Sequence, residues 1–467
     1  MSRAIFLAGA LLALLAATSP GKEKKTNAPR HHSLTLEGAV SLALKQNPDI
    51  LKAIHEIART RGQVIEVRAQ ALPTLQATSS YSQYDPNLLF HSSSNIIISQ
   101  EQSWLITLQV QQTLYSGGKV RAALKIAELT KDTSIQVFRE TVATVVANVR
   151  TQFYTALLNR ELITVAEESI VLLSDQLKDQ QNRFDAGTVP RFNVLQAEVA
   201  LANARPDLIR ARNNFHISRL QLAKTLGLDT EDEPDVVGVL RMIPREVNLS
   251  RALIAARKNR PILKAQQNTV ASDEQQITVA KSGYKPKLTA DVGYEFKNSP
   301  NTSDIGTGVN GWYFGFTGNW AIFDGFQTKG QVDQAKASLA SAKVGLWDSV
   351  HQVELEVQQA YANAKVARQV IASQTKVVEQ AIEALRLAKE RLNAGAGTQL
   401  DVLNAQVALT TARSTEKKSL SDYNVALAEY DRATGAETIA DPTIPDPKAK
   451  AASAMLRRGR ATLRPAD

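Results

Sequence analysis

The stretch "RFDAGTVPRFNVLQAEVAL" (Arg183–Leu201) is written a second time as "RLNAGAGTQLDVLNAQVAL" (Arg391–Leu409). Laid over each other without gaps, Gly187 falls on Gly395, Val194-Leu195 on Val402-Leu403, and Val199-Ala200-Leu201 on Val407-Ala408-Leu409. At the same offset Leu114-Tyr115-Ser116-Gly117 falls on Ile322-Phe323-Asp324-Gly325. Upstream the offset shifts slightly. There Asn47 and Ile50-Leu51-Lys52-Ala53 match Asn259 and Ile262-Leu263-Lys264-Ala265, and Pro73-Thr74-Leu75 matches Pro286-Lys287-Leu288. The repeated unit is much longer than the roughly 20–50 residues of a solenoid repeat. The chain is therefore a duplication of one large structural unit, the first copy spanning residues 34–240 and the second 245–435.

Each copy reads in the same order. A helical segment (Leu36–Leu72; Val247–Tyr284) precedes two alternating segments, over residues 74–84 and 103–115 in the first copy and 287–297 and 311–323 in the second. A very long helical segment follows (Gly118–Asp185; Gly330–Asn393), then a Gly-containing turn and another helix (Arg191–Leu226; Gln399–Thr434). In the long segments Val142, Val145, Val146, Val149, Phe153 and Leu157 recur at threes and fours, as do Leu346, Val350, Val353, Val357 and Tyr361. At 1.5 Å per residue such a segment is about 100 Å long. No compact domain needs that length, so the spacing predicts a rod, tube or coiled coil.

The alternating segments have period two. Trp104, Ile106, Leu108 and Val110 interleave with polar residues, and Trp312, Phe314 and Phe316 do the same. Asp291 and Glu295 fall opposite the row Val292, Tyr294, Phe296, as a wet lumen requires. The segments have the length of tilted membrane strands, with Trp104, Trp312 and Trp320 near strand ends where an aromatic girdle sits. Four strands cannot close a barrel, and open edges are not tolerated in lipid. Three copies would supply twelve strands and a ring of helices.

Composition narrows the function. The chain has 467 residues and no cysteine, which removes disulfides, thiolate sites and an N-terminal lipid anchor attached through cysteine. After Arg3 the run "AIFLAGALLALLAA" is too short to span a bilayer and ends in small residues, so residues 1–19 read as a cleaved signal peptide. The net charge of +9 is placed at the two ends, and the middle alternates signs as solvated helix faces do. No basic stripe with interleaved aromatics marks a nucleic-acid surface. The basic tail at residues 440–467 reads as a disordered extension. "GTGVNG" (Gly306–Gly311) leads into a strand-like run, not a helix, so it is no dinucleotide site. "SGGK" (Ser116–Lys119) lacks the phosphate-loop spacing. No metal-ligand spacing, nucleophile elbow or other catalytic constellation is present, so the chain reads as no enzyme and as having no cofactor.

Together, the duplication, the junctions "QTLYSGGKVRAA" and "WAIFDGFQTKGQ" and the paired turns "NRFDAGTVPRFNVLQA" and "ERLNAGAGTQLDVLNA" resemble the TolC-like outer membrane efflux protein family over Leu36–Gly435. The resemblance implies a mainly α protein with a membrane β-barrel part. A homotrimer would form a 12-stranded barrel in the outer membrane lipid and an α-helical tube in the periplasm. Such a tube is the passive exit duct of a tripartite efflux pump or type I secretion system. Its implied partners are a periplasmic adaptor (membrane fusion) protein and an inner-membrane transporter of RND, ABC or MFS type. By the same resemblance the paired turns form the adaptor-docking tip, with Gly187, Thr188, Gly395, Gly397 and Thr398. Asp401 and Asn404, with Asn193 and Gln196 at the matching offsets, line the pore constriction. Some members hold the tip closed with a Tyr and an Arg where this chain has Leu392 and Gly397. The competing reading is a periplasmic coiled-coil adaptor or scaffold without a channel.

Overall fold

The computed structural model describes residues 33–85, 101–229, 231–299 and 306–436. The expected signal peptide, the basic tail and most of the loop between each strand pair lie outside the described residues. The elements run β1 (Ser33–Leu34), α1 (Leu36–Gln46), α2 (Pro48–Ala69), β2 (Thr74–Gln83), β3 (Gln102–Tyr115), α3 (Lys119–Asp185) and α4 (Arg191–Leu226). The second copy follows as β4 (Asp235–Val236), α5 (Leu249–Asn259), α6 (Pro261–Lys281), β5 (Lys287–Asn298), β6 (Gly308–Asn319), α7 (Gln327–Asn393) and α8 (Gln399–Thr434). The helices α3 and α7 have 67 residues each, and α4 and α8 have 36 each.

Local chemistry sets these boundaries. Gly118 and Phe326, one repeat apart, both take the left-handed conformation (φ 93° and 70°) that turns the strand into the long helix. Phe326 is the only non-glycine residue with positive φ among the described residues. Ser116 Oγ accepts from Val120 N (3.4 Å), and Asp324 Oδ2 accepts from Thr328 N (2.8 Å), so each junction caps its own helix. The long hairpins turn at Gly187 (φ 72°) and Gly395 (φ 73°).

Three features depart from the sequence-based expectations. Each leading helical segment is broken, at Asn47-Pro48 and at Arg260-Pro261, because proline lacks the N–H that would continue the ladder and starts a new helix at N1 instead. The breaks also correct the register. Ile50 is buried two residues after the first proline, and its counterpart two residues after the second is the buried Leu263, not Ile262. Finally, the strand expected over 311–323 runs Gly308–Asn319, leaving Trp320–Phe323 in the connection to α7.

The breaks do equivalent work in both copies. Asn47 Nδ2 donates to Thr225 O (2.7 Å), and Arg260 Nη1 donates to Ala433 O (3.4 Å), so each break residue holds the C-terminus of its own hairpin's second helix. Gly227 and Gly435 follow, both with positive φ. The chemistry differs, however. Asn47 also caps α2 through Oδ1, whereas Arg260, 3% exposed, ion-pairs with Glu140 (2.8 Å) and Glu356 (2.9 Å).

Around these breaks lies the main core. Phe138, Val142, Val146, Val149, Phe153 and Leu157 of α3 pack on Ile50 and Ile57 of α2, Ala39 and Ala43 of α1, and Leu222 and Leu226 of α4. Each fully buried large side chain contributes about 1.5–3 kcal/mol. The corresponding cluster of the second copy uses Val353, Val357, Ala360, Tyr430 and Leu263 with Ala252 and Ala256. The connection between copies is clamped by Arg160, which donates to Val236 O and Gly238 O (both 2.6 Å), and by Tyr423, which donates to Ile243 O (3.0 Å).

Two predictions follow from these contacts. A Cβ at Gly227 would lie 2.4 Å from Gln46 O, whereas one at Gly187 meets nothing within 4 Å. Gly187→Ala should therefore cost only the left-handed penalty of about 1–2 kcal/mol, and Gly227→Ala distinctly more, read as loss of thermal unfolding temperature. Arg260→Met strands Glu140, while Glu356 keeps Arg432 (3.3 Å), and should cost about 3–5 kcal/mol; Arg260→Lys keeps part of the pairing.

Candidate membrane pore and periplasmic tip

The four-stranded sheet has the order β2-β3-β5-β6, antiparallel throughout. Its register sorts the side chains cleanly. Leu75, Val110, Val292 and Phe314 lie in one row across all four strands, and Ala77, Leu108, Tyr294 and Trp312 in the next. On the other face the row Thr78, Thr107, Glu295, Gly311 alternates with the row Gln76, Gln109, Gly293, Tyr313. Asp291 sits on this polar face, two residues from Gly293 along β5. One face is thus apolar and aromatic, the other polar and acidic. That is the inverse of a soluble half-buried sheet, because the apolar face is left bare: Trp312 is 77% exposed, and Phe314, Phe316 and Tyr294 are exposed too. A bare apolar face with a polar reverse fits strands with lipid outside and water inside.

The polar face is organised locally. The Tyr313 ring lies over Gly293, where a Cβ would come within 2.6 Å of it. Lys297 Nζ approaches Glu295 at 3.3 Å. At about 3.3 Å per residue the 12 residues of β5 reach about 40 Å, enough to cross a bilayer core when tilted. Trp104 stands opposite Tyr81 near the end of the sheet remote from the helices. Trp320 lies one residue beyond β6 at the helical end, 58% exposed, and its Nε1 donates to Tyr284 O (3.1 Å). Trp312 sits between them, in rank with Tyr294.

About 100 Å away, the two hairpin turns are built alike but capped differently. At the first, Thr188 N and Oγ1 both donate to Arg183 O (2.9 and 2.8 Å), and Pro190 begins α4 without a side-chain cap. At the second, Thr398 and Asp401 form a reciprocal capping box. Asp401 Oδ2 accepts from Thr398 N and Oγ1 (both 2.8 Å), and Asp401 N donates to Thr398 Oγ1 (3.2 Å). These bonds from Thr398, backbone first, hold the Asp401 carboxyl below the usual range, helped by the charge of Arg391. Asp401 and Asn404 are exposed on the first turns of α8, while Asn193 and Gln196 are half-buried on α4. Gly397 is half-buried against Arg391 and Leu392.

The turns are linked by contacts that the sequence pattern did not single out. Arg183 Nη2 donates to Asn393 Oδ1 (2.7 Å) while its Nε pairs with Asp179 (2.9 Å). Gln176 Nε2 donates to Gln399 Oε1 (2.8 Å) in a buried polar layer with Gln180 and Gln406. The only signal for the first contact was that Arg183 and Arg391 open the two repeated stretches. Glutamines at helical spacing carried no signal for the second. Among the described residues no group of His, Cys, Asp or Glu could hold a metal ion, and no helix is long and apolar enough to cross a membrane.

The solved Campylobacter jejuni CmeC outer membrane channel shares this fold at TM-score 0.76 with 18% identity, over 91% of this chain and 94% of that one. CusC aligns at TM-score 0.74, 18% identity, over 88% and 94% of the two chains. In sequence the chain is 28% identical to outer membrane efflux protein BepC of Brucella suis, over 40% of either chain. It is 23% identical to cobalt-zinc-cadmium resistance protein CzcC of Cupriavidus metallidurans, over 86% of this chain and 90% of CzcC. The family model described as outer membrane efflux protein matches residues 39–228 and 252–436, the two halves of the duplication. The chain belongs to the outer membrane efflux protein family.

Proposed function

We propose that three copies of this chain form a passive exit duct through the outer membrane, ending in a helical tube whose tip docks a periplasmic adaptor. The observation that carries this reading is the sheet, with one bare apolar face, one polar face and two unpaired edges, β2 and β6. Because the four strands alternate in direction, β6 of one copy runs antiparallel to β2 of the next, so copies join without a break in the ladder. Three copies then give twelve strands with no edge left in lipid. The polar face lines a wet lumen.

The helices support the same arrangement. The helix α3 packs against α1, α2, α4, α6 and α8, whereas α7 packs chiefly against α5, α6 and α8. Under the repeat, the contacts of α3 with α6 and α8 become contacts of α7 with α2 and α4 of the neighbouring copy. Exposed Val344, Val366 and Val377 on α7, with Ile65 on α2 and Ile209 on α4, are the apolar surface left for that seam. An inner-membrane transporter of RND, ABC or MFS type would energise export, since the chain carries no nucleotide or ion-coupling motif. Gly187, Thr188, Gly395, Gly397 and Thr398 would present the turns to the adaptor. Trp104 and Trp320 would lie at the two lipid interfaces, with Trp312, expected in the same girdle, on the lipid face between them.

Asp401 is the residue best placed to gate cations. Three copies would set three carboxylates in a ring, with Asn404, Asn193 and Gln196 adding polar but uncharged walls. One carboxylate oxygen serves the capping box and the other remains to face a passing ion.

Native mass spectrometry on protein extracted from purified outer membranes should give a particle of three chains. A soluble monomer would overturn the duct. In single-channel recordings, Asp401→Asn should weaken block by multivalent cations while keeping an acceptor for Thr398, and unchanged block would remove Asp401 from the constriction. Because the folded carboxyl sits below its ordinary value, its contribution to the cap is present above that value and lost only as pH falls through the lowered one. Block should therefore persist as pH falls through about 4 and fade below it.

A further inference from the structure

The contact that joins the two turns of one chain has a second version with the charges complete. Within a chain, Arg183 near the end of α3 donates to Asn393 at the end of α7 (2.7 Å). One repeat along, Arg183 becomes Arg391 and Asn393 corresponds to Asp185. At the turns, the end of α7 then approaches the end of α3 of the next copy, as the end of α3 approaches that of α7 within the chain. We propose that Arg391 of each subunit ion-pairs with Asp185 of the neighbouring subunit, so that the tip is tied between subunits by three charged links. The proposal rests on the trimer argued above.

The local surroundings of the two arginines favour it. Arg183 is already held by Asp179 one turn back on its own helix (2.9 Å). The residue one turn back from Arg391 is Leu387. Arg391 is exposed; its guanidinium donates to the Ala396 carbonyl of its own turn at a long 3.3 Å, and its charge acts on Asp401 of the same turn without a direct ion pair. Asp185 is exposed as well and accepts from Gln181 Nε2 at 3.0 Å through Oδ1. A carboxylate has acceptor capacity for a second donor, and an Arg–carboxylate bond is charge-assisted where the Arg–Asn bond is not.

Higher up, the seams differ in the opposite sense. Within a chain, α3 and α8 are joined by Glu168–Arg413 and by Glu161–Lys417 at 3.0 Å. The same positions between subunits hold Lys376 facing Arg205, two like charges, and Gln369 facing Ile209. The upper intersubunit seam thus loses both ion pairs, and Arg391–Asp185 restores one at the tip. That pair decides whether neighbouring tips stay together.

The chain has no cysteine, so the double variant Asp185→Cys, Arg391→Cys carries two thiols per subunit and no others. A short bismaleimide added to the purified full-length trimer should yield covalent dimers and trimers on a denaturing gel. Arg183→Cys with Asn393→Cys, joined inside one subunit, should remain monomeric and shift in mobility. Monomers alone from the Asp185/Arg391 variant, in a sample that native mass spectrometry shows to be trimeric, overturn the pairing. A sample that is not trimeric overturns the trimer reading instead. Charge reversal reads the consequence: Arg391→Glu should raise mean single-channel conductance several-fold, and adding Asp185→Arg should bring it back. Equal conductance in wild type, single and double variants removes the link.

Discussion

A strand edge in hydrocarbon is the constraint on which the rest depends. Each unpaired N–H or C=O in lipid costs several kcal/mol, and this chain ends its sheet on two such edges, β2 and β6. Burying them inside one chain is not an option, because the strands point away from the helices and carry apolar side chains outward. Association is then a requirement of the sheet. An even strand number in each copy makes the joined ladder antiparallel at every junction, so the edge chemistry also dictates that copies add head to tail around a ring.

The duplication turns that ring into a near-sixfold object. The helices α3 and α7 have equal length, as do α4 and α8, and every hairpin boundary is displaced by the same interval. A contact seen once inside the chain therefore has a counterpart between chains. This is why one chain carries information about an interface it does not contain. It also explains why α7 shows more bare apolar surface than α3: the same helix position is covered by the chain's own elements in one copy and awaits a neighbour in the other.

Much of this was legible in the residues. The repeat fixes the two hairpins, because a Gly-centred turn between long apolar periods has few other readings, and period two in "WYFGFTGN" and "LTADVGYEF" exposes the two faces of the sheet. What was not legible depends on single backbone events. The prolines at 48 and 261 break helices whose apolar spacing runs through them, and a break resets which residue points inward. That is why Ile50 corresponds to Leu263 and the textual match to Ile262 is out by one. At the tip, the spacing from Thr398 to Asp401 spells a capping box in the second turn only, and the resemblance drew attention to Asp401 as a pore residue instead. The structure gives it the cap, and the pore role remains a proposal that must coexist with it. Arg183 and Asn393 sit on different helices 210 residues apart, and no local pattern links them.

The junction between sheet and tube tests how far geometry overrides residue identity. Where the first copy turns into its long helix through Gly118, the second uses Phe326 in the same left-handed conformation, at a backbone cost of about 1–2 kcal/mol. The turn persists because both of its ends are fixed: β6 is held in the ladder, and Asp324 holds the N–H of Thr328, whose side chain packs over Gly283. Phe326 nonetheless gains contacts a glycine could not make, standing edge-on to Phe323 (5.6 Å between centroids) with Lys329 near its face (5.9 Å). Trp320, Phe323 and Phe326 thus make an exposed aromatic group in the connection from β6 to α7. In the barrel that group lies where the bilayer ends and the tube begins. An amphipathic ring is worth most at that depth, which gives the strained phenylalanine a physical reason to stand where its counterpart is glycine.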